Sequence, residues 1–295
     1  MRLPLKLILL ALPSLLGSVL LMSYSQVGMG LLLQQVLVGL MGCGFVLWRT
    51  SERTEAAMRR RTERDPHQSF RTRIGLITLS LIAIGLLLCI VTAYIAGQTG
   101  SPARWLKIAD LRLYFAGLIM PASLLLIAVL FWIRRQANLA TSALSITIAA
   151  SLAAQPDASQ ITAFSLGMIF IIWHSSVSMR LKSAISLALI ALSVWTWLQA
   201  DPLQPVPYVE GVIQLAATVG VGAMLLAILS VAMIPLGLFF IAIKYRISVL
   251  IPIALYYVVI MICAYLGLTP MPLLGFGAGP VLGYFLATGL AVGRE

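Results

Sequence analysis

Two groups of residues in this sequence are placed to do chemistry: a few carboxylates outside the apolar bulk and one short set of cations. Asp201 and Glu210 sit in the stretch 199–210, QADPLQPVPYVE, between an apolar run at 183–198 and a charge-free run at 211–243. Pro202, Pro205 and Pro207 remove backbone donors and fix φ, so this stretch reads as a stiff, extended turn. Asp-Pro starts turns routinely, so a structural role is open for Asp201 beside a chemical one. Glu210, next to the following helix, is explained by the favourable interaction of an acid with a helix amino end.

The cations are Arg104, Lys107 and Arg112, in the segment 98–114 with Trp105. One reading makes them snorkelling partners of an aromatic anchor at a membrane surface. The other makes them a grip for an anionic headgroup such as a diphosphate, which a guanidinium fork suits. The segment is expected as a short interfacial helix. In Gln155-Pro156-Asp157, Asp157 is followed three positions on by Gln160, the spacing of a helix N-cap with a capping-box partner. The histidines, His67 and His174, have no partner at ligand spacing, so no metal site is expected. No phosphate-binding glycine loop and no nucleophile elbow is present.

These residues need a scaffold, and composition says which kind. Of 295 residues 61% are hydrophobic and only 10% charged, too few charges to cover a soluble fold of this size. The expected class is an all-α polytopic membrane protein forming one integral membrane domain. Helices are expected near 6–22, 28–48, 74–97, 113–133, 138–154, 160–177, 183–200, 212–243, 247–268 and 280–293, about ten crossings. Met1 to Met22 reads as a retained first helix, since no small-residue cleavage site follows it. The eighth run is long for one span, and Pro235 predicts a kink or an extension there. Cys43, Cys89 and Cys263 lie in apolar runs as small hydrophobes. The glycine sets Gly39/Gly42/Gly44 and Gly289/Gly293 read as helix-packing faces.

A net charge of +11 would suggest nucleic acid in a soluble protein, but in a membrane protein it is read by side. One set of loops, including eight arginines in 49–73, holds 17 of the 20 lysines and arginines; the other holds Arg104, Lys107 and Arg112 alone. The positive-inside rule makes the first set and both chain ends cytoplasmic, and places 98–112 and 201–210 on the outer face. The basic loop 49–73 is expected to be partly helical and to touch anionic lipid or a docking protein.

The order of the outer segments resembles the SEDS proteins of shape, elongation, division and sporulation: RodA, FtsW and SpoVE. Arg104-Trp105-Leu106 with Arg112 is similar to their RW motif, and Gln155-Pro156-Asp157 to their QPD. Asp201-Pro202-Leu203 with Tyr208 is similar to their fourth outer loop, and 272–277, PLLGFG, to their PFxSYG. The chain departs from that pattern at Gly117 and Met120, where the family has Glu and Lys. It departs again at Gly275, which stands for a serine, and at Gly279-Pro280, which stand for a Ser-Ser pair. The fourth outer loop is also much shorter.

The resemblance implies a glycosyltransferase of the bacterial cytoplasmic membrane. It would polymerise a lipid-linked glycan precursor of the lipid II type, beside a class B penicillin-binding protein. Asp201 would be the base, and Arg104, Trp105, Lys107 and Arg112 would hold the substrate. Gln155, Asp157, Tyr208, Gly275 and Gly277 would support the site. A divalent cation is an optional further partner, and the glycine-rich 275–279 is expected to help open a lipid-facing groove. The alternative is a SEDS-like scaffold without catalysis that recruits an envelope-synthesis partner. A lipid-precursor flippase or small transporter ranks third, because no charge sits at mid-membrane.

Overall fold

The computed structural model describes residues 3–60, 105–108, 111–133, 138–199 and 206–292. The expected helix at 74–97 lies outside these residues. So do Arg104, Asp201 and the basic loop beyond Arg60.

Ten helices and one hairpin make up the described chain. In order they are α1 (Leu3–Tyr24), α2 (Met29–Arg60), β1 (Trp105–Ile108), β2 (Leu111–Tyr114), α3 (Phe115–Ile133), α4 (Asn138–Ala154) and α5 (Ala158–Trp173). There follow α6 (Met179–Trp197), α7 (Val212–Val219), α8 (Val221–Lys244), α9 (Leu250–Tyr265) and α10 (Ala278–Val292). Nine of the ten expected helices fall within the described residues, and each is present. The class is all-α. Five helices are long and apolar enough to cross a membrane: α1, the 29–51 part of α2, α3, α6 and α8. Large apolar side chains such as Leu20, Leu40, Leu187, Leu226 and Leu236 stand exposed on the outer helices. An apolar surface this extensive needs a lipid or protein cover.

Three expectations change. The segment expected as an interfacial helix is an antiparallel hairpin pairing β1 with β2. Its sequence, Trp-Leu-Lys-Ile and Leu-Arg-Leu-Tyr around Ala109-Asp110, comes closer to the period of two that strands require than to the helical period. The long eighth run is two helices, α7 and α8, divided at Gly220, and α8 carries Pro235 internally. Gly220 has φ 151° and ψ 163°, a conformation essentially reserved for glycine. The second helix also runs a dozen residues past its expected end at 48, into the basic segment.

The core is organised on α10, which packs against α3, α2, α1 and β2. Glycines let it approach closely. A Cβ at Gly283 would overlap the Gly117 carbonyl oxygen, and one at Gly279 the Tyr114 carbonyl oxygen. Of the expected packing glycines, Gly42 faces the Phe285 ring and Gly289 the Phe45 ring. Gly44 faces open space, and Gly293 lies outside the described residues. On the other flank α9 packs against α5, α8 and α3, while α6 lies on α5 and α4. Helix α3 is the most enclosed of the five long apolar helices.

Candidate functional site

The polar residues with long-range partners gather mainly at one end of the bundle. The clearest centre is Asp157, fully buried at the amino end of α5. One carboxylate oxygen, Oδ1, accepts from the Gln160 backbone N–H at 3.1 Å and from the Ser159 hydroxyl at 2.8 Å. The other, Oδ2, accepts from the Tyr114 hydroxyl at 2.5 Å. Tyr114, the last residue of β2, in turn accepts from the Thr269 hydroxyl at 3.3 Å. The expected N-cap is therefore present. The capping-box partner is not: the Gln160 side-chain oxygen accepts from the Tyr256 hydroxyl at 2.7 Å, and the Asp157 backbone N–H donates to Leu152. A burial-driven tie between α5 and α9 has taken the side chain that the motif would return to its own helix. Gln155 is buried beside this cap.

The hairpin continues from this centre. Its register sets Trp105 opposite Tyr114 and Lys107 opposite Arg112. Like charges at directly opposed positions of an antiparallel pair are in general unfavourable. The register thus joins two of the three candidate cations. Arg104, one residue before β1, and Asp110, in the connection between the strands, lie outside the described residues.

The turn 206–211 docks on the loop 266–277. The backbone N–H groups of Val209, Glu210 and Gly211 all point at the Val206 carbonyl. Glu210 is buried, and its carboxylate accepts from the Val206 N–H at 2.9 Å. This bond helps to close the turn that leads into α7. Met271 N–H then donates to the Val209 carbonyl at 3.0 Å, and Phe276 N–H to the Tyr208 carbonyl at 2.9 Å. The rings of Tyr208 and Phe276 meet at 6.3 Å.

Gln35 of α2 clamps the same loop from behind. Its amide donates to Ser18 at 3.1 Å and to the Gly275 carbonyl at 3.3 Å, and it accepts from the Gly277 N–H at 3.3 Å. The glycine-rich 275–279 is thus packed shut against protein, with Gly275, Gly277 and Gly279 placed to allow it; it does not open a groove. An open apolar groove of about 260 Å³ lies instead between α7, α8 and α9. Ile213, Ile228, Met261, Ile262, Tyr265 and Met271 line it.

The structure therefore brings Asp157, Tyr208, Gly275, Gly277, Lys107 and Arg112 to one end, with Trp105 on the same hairpin. It is silent on Asp201, whose turn begins within the undescribed 200–205. Residues that sequence reasoning missed are Tyr114, Thr269, Tyr256 and Gln35. Gln35 had a signal, a glutamine pair in an otherwise apolar run, whereas the tyrosines read as ordinary membrane aromatics. The opposite end is basic. There the Lys6 ammonium donates to the Tyr245 hydroxyl, and Lys182 donates to the Trp173 carbonyl at 3.0 Å. Among the described residues no group of histidine, cysteine and carboxylate side chains could hold a metal ion. No protein-family model matches the chain, and no characterised protein matches it.

Proposed function

We propose that this protein is a divergent SEDS-like glycosyltransferase of the bacterial cytoplasmic membrane, acting on a lipid-linked diphosphate donor of the lipid II type. The observation that carries the reading is the register pairing of Lys107 with Arg112, a cation pair suited to a diphosphate. It stands at the end of the bundle where the 206–211 turn, which follows Asp201, and the 271–277 loop also meet. The uneven division of basic residues supports placing that end outside the cell and both termini inside.

In the proposed reaction an acceptor sugar hydroxyl attacks the anomeric carbon of the donor. The new carbon–oxygen bond forms as the bond to the diphosphate oxygen breaks. Asp201 takes the hydroxyl proton, and Arg104, Lys107 and Arg112 stabilise the charge on the departing polyprenyl diphosphate. No nucleophilic side chain is needed for this direct displacement.

One observation favours the second reading, a scaffold without catalysis. The positions matching the family's polar residues, Gly117, Gly275 and Gly279, are occupied by close packing. The deciding experiment is a polymerisation assay with purified protein and lipid II, with and without a class B penicillin-binding protein. Glycan strands formed by wild type support the enzyme. Their absence with every partner, together with an envelope defect on deletion of the gene, supports the scaffold.

A further inference from the structure

The fully buried carboxylate of Asp157 has no part in the chemistry proposed above. Its oxygens accept three hydrogen bonds from protein donors and the residue is fully buried, so an incoming hydroxyl has no access to it. What it does hold is Tyr114. That residue ends the strand that carries Arg112 two positions earlier, roughly 7 Å away along the strand.

Tyr114 is fixed from several directions. Its hydroxyl lies between Asp157 of the α5 cap and Thr269 of the loop after α9. Its ring packs at the position of Gly117, where an added Cβ would come within 2.9 Å of it. Its carbonyl lies so close to Gly279 of α10 that a side chain there would overlap it. Three separate parts of the chain thus converge on the residue where the hairpin enters the bundle. By contrast, a two-stranded ribbon alone is marginal, and one with like charges opposed is weaker still.

We propose that Asp157 and Tyr114, with Thr269, form a buried clasp that sets the pose of the hairpin, and that they are positioning residues for the anion site at Lys107 and Arg112. The inference rests on reading that cation pair as an anion site. Its physical basis is leverage. A displacement of about 1 Å in a positioning element can cost about a hundredfold in a reaction that depends on it. Loss of one phenolic hydroxyl leaves the ring, the burial and the helices as they are.

The test uses the full chain in zwitterionic-lipid nanodiscs with two readouts. The first is the distance distribution between spin labels at Ala109→Cys and Ser176→Cys, in a background lacking the three native cysteines. The second is calorimetric affinity for inorganic pyrophosphate. Tyr114→Phe should broaden the label distribution and weaken pyrophosphate binding about tenfold or more. Asp157→Asn should do the same; if it fails to fold, Tyr114→Phe and Thr269→Val carry the test. Gly289→Ala, which crowds the Phe45 ring away from the clasp, is the control for simple loss of stability. It should lower the melting temperature without changing either readout.

An unchanged distribution or unchanged affinity in Tyr114→Phe overturns the clasp, as does an equal effect from Gly289→Ala. Lys107→Ala and Arg112→Ala separate the underlying reading: wild-type pyrophosphate affinity in both removes the anion site. The label distances still report, independently, whether Tyr114 holds the hairpin.

Discussion

Gly275 and Val209 meet backbone to backbone: a Cβ on the glycine would overlap the Val209 carbonyl oxygen, which already accepts from Met271. The position that resembles a serine in the SEDS motif therefore has no room for one in this fold. Gly275→Ser should lower stability by about 1–3 kcal/mol, the usual cost of overpacking. Gly277→Ala is the contrast, since its Cβ would meet only the Pro280 side chain, at 3.5 Å. Melting curves in detergent should separate the two clearly, and equal melting temperatures would contradict the close docking of the two loops.

The break between α7 and α8 gives a second contrast. A Cβ at Gly220 would meet nothing within 4 Å, so Gly220→Ala tests backbone strain with no clash. A non-glycine residue in such a conformation costs about 1–3 kcal/mol. Gly222, two residues on and inside α8, also faces open space. There alanine should be neutral or raise stability, by at most about 1 kcal/mol. If Gly220→Ala is as well tolerated as Gly222→Ala, the two helices are one.

Gln35 makes three hydrogen bonds to α1 and the 275–277 backbone from a buried site. Gln35→Leu keeps the volume and loses all three. Hydrogen bonds within membrane proteins average about 0.6 kcal/mol, so the global loss should stay near 2 kcal/mol. The local effect should be sharper. Hydrogen exchange at the Gly277 amide should quicken more than at amides in the middle of α3, and uniform quickening would argue against a clamp on this loop.

The proposed sidedness rests on charge and is checked by labelling. Cysteines introduced at Ser101 and Gln204 should react with an impermeant thiol reagent in intact cells, and a cysteine at Ser178, in the loop before Arg180 and Lys182, should not. The reverse pattern would invert the protein in the membrane and remove the outer-face site.

Asp201→Asn separates enzyme from scaffold. Asparagine serves a turn nearly as well as aspartate, so insertion and melting should be close to wild type. On the enzyme reading, glycan synthesis should fall by about two or more orders of magnitude, the scale for losing a positioned base. Full activity in this variant would move the role of base to another group.

The apolar runs were legible in the residues, because a helix in an apolar medium must satisfy its own backbone and length and composition reveal that demand; the end of α2 and the break at Gly220 were not. The Asp157 cap was legible for a similar reason: its bond to the Gln160 N–H closes within one turn of chain. The hairpin at 105–114 was within reach as well, since a period of two is local. The aromatic and basic content of the segment drew the reading toward an interfacial helix instead. Other features depended on parts of the chain far apart in sequence. Gln160 turned to Tyr256 on α9, 96 residues away, and Tyr114 turned to Asp157, 43 residues away. Glu210 bonds back to Val206 within a turn that docks on the 271–277 loop. Whether a glycine is a hinge, a packing contact or idle depends on what lies opposite it. Gly220, Gly275 and Gly44 look alike as residues, and only the assembled bundle distinguishes them.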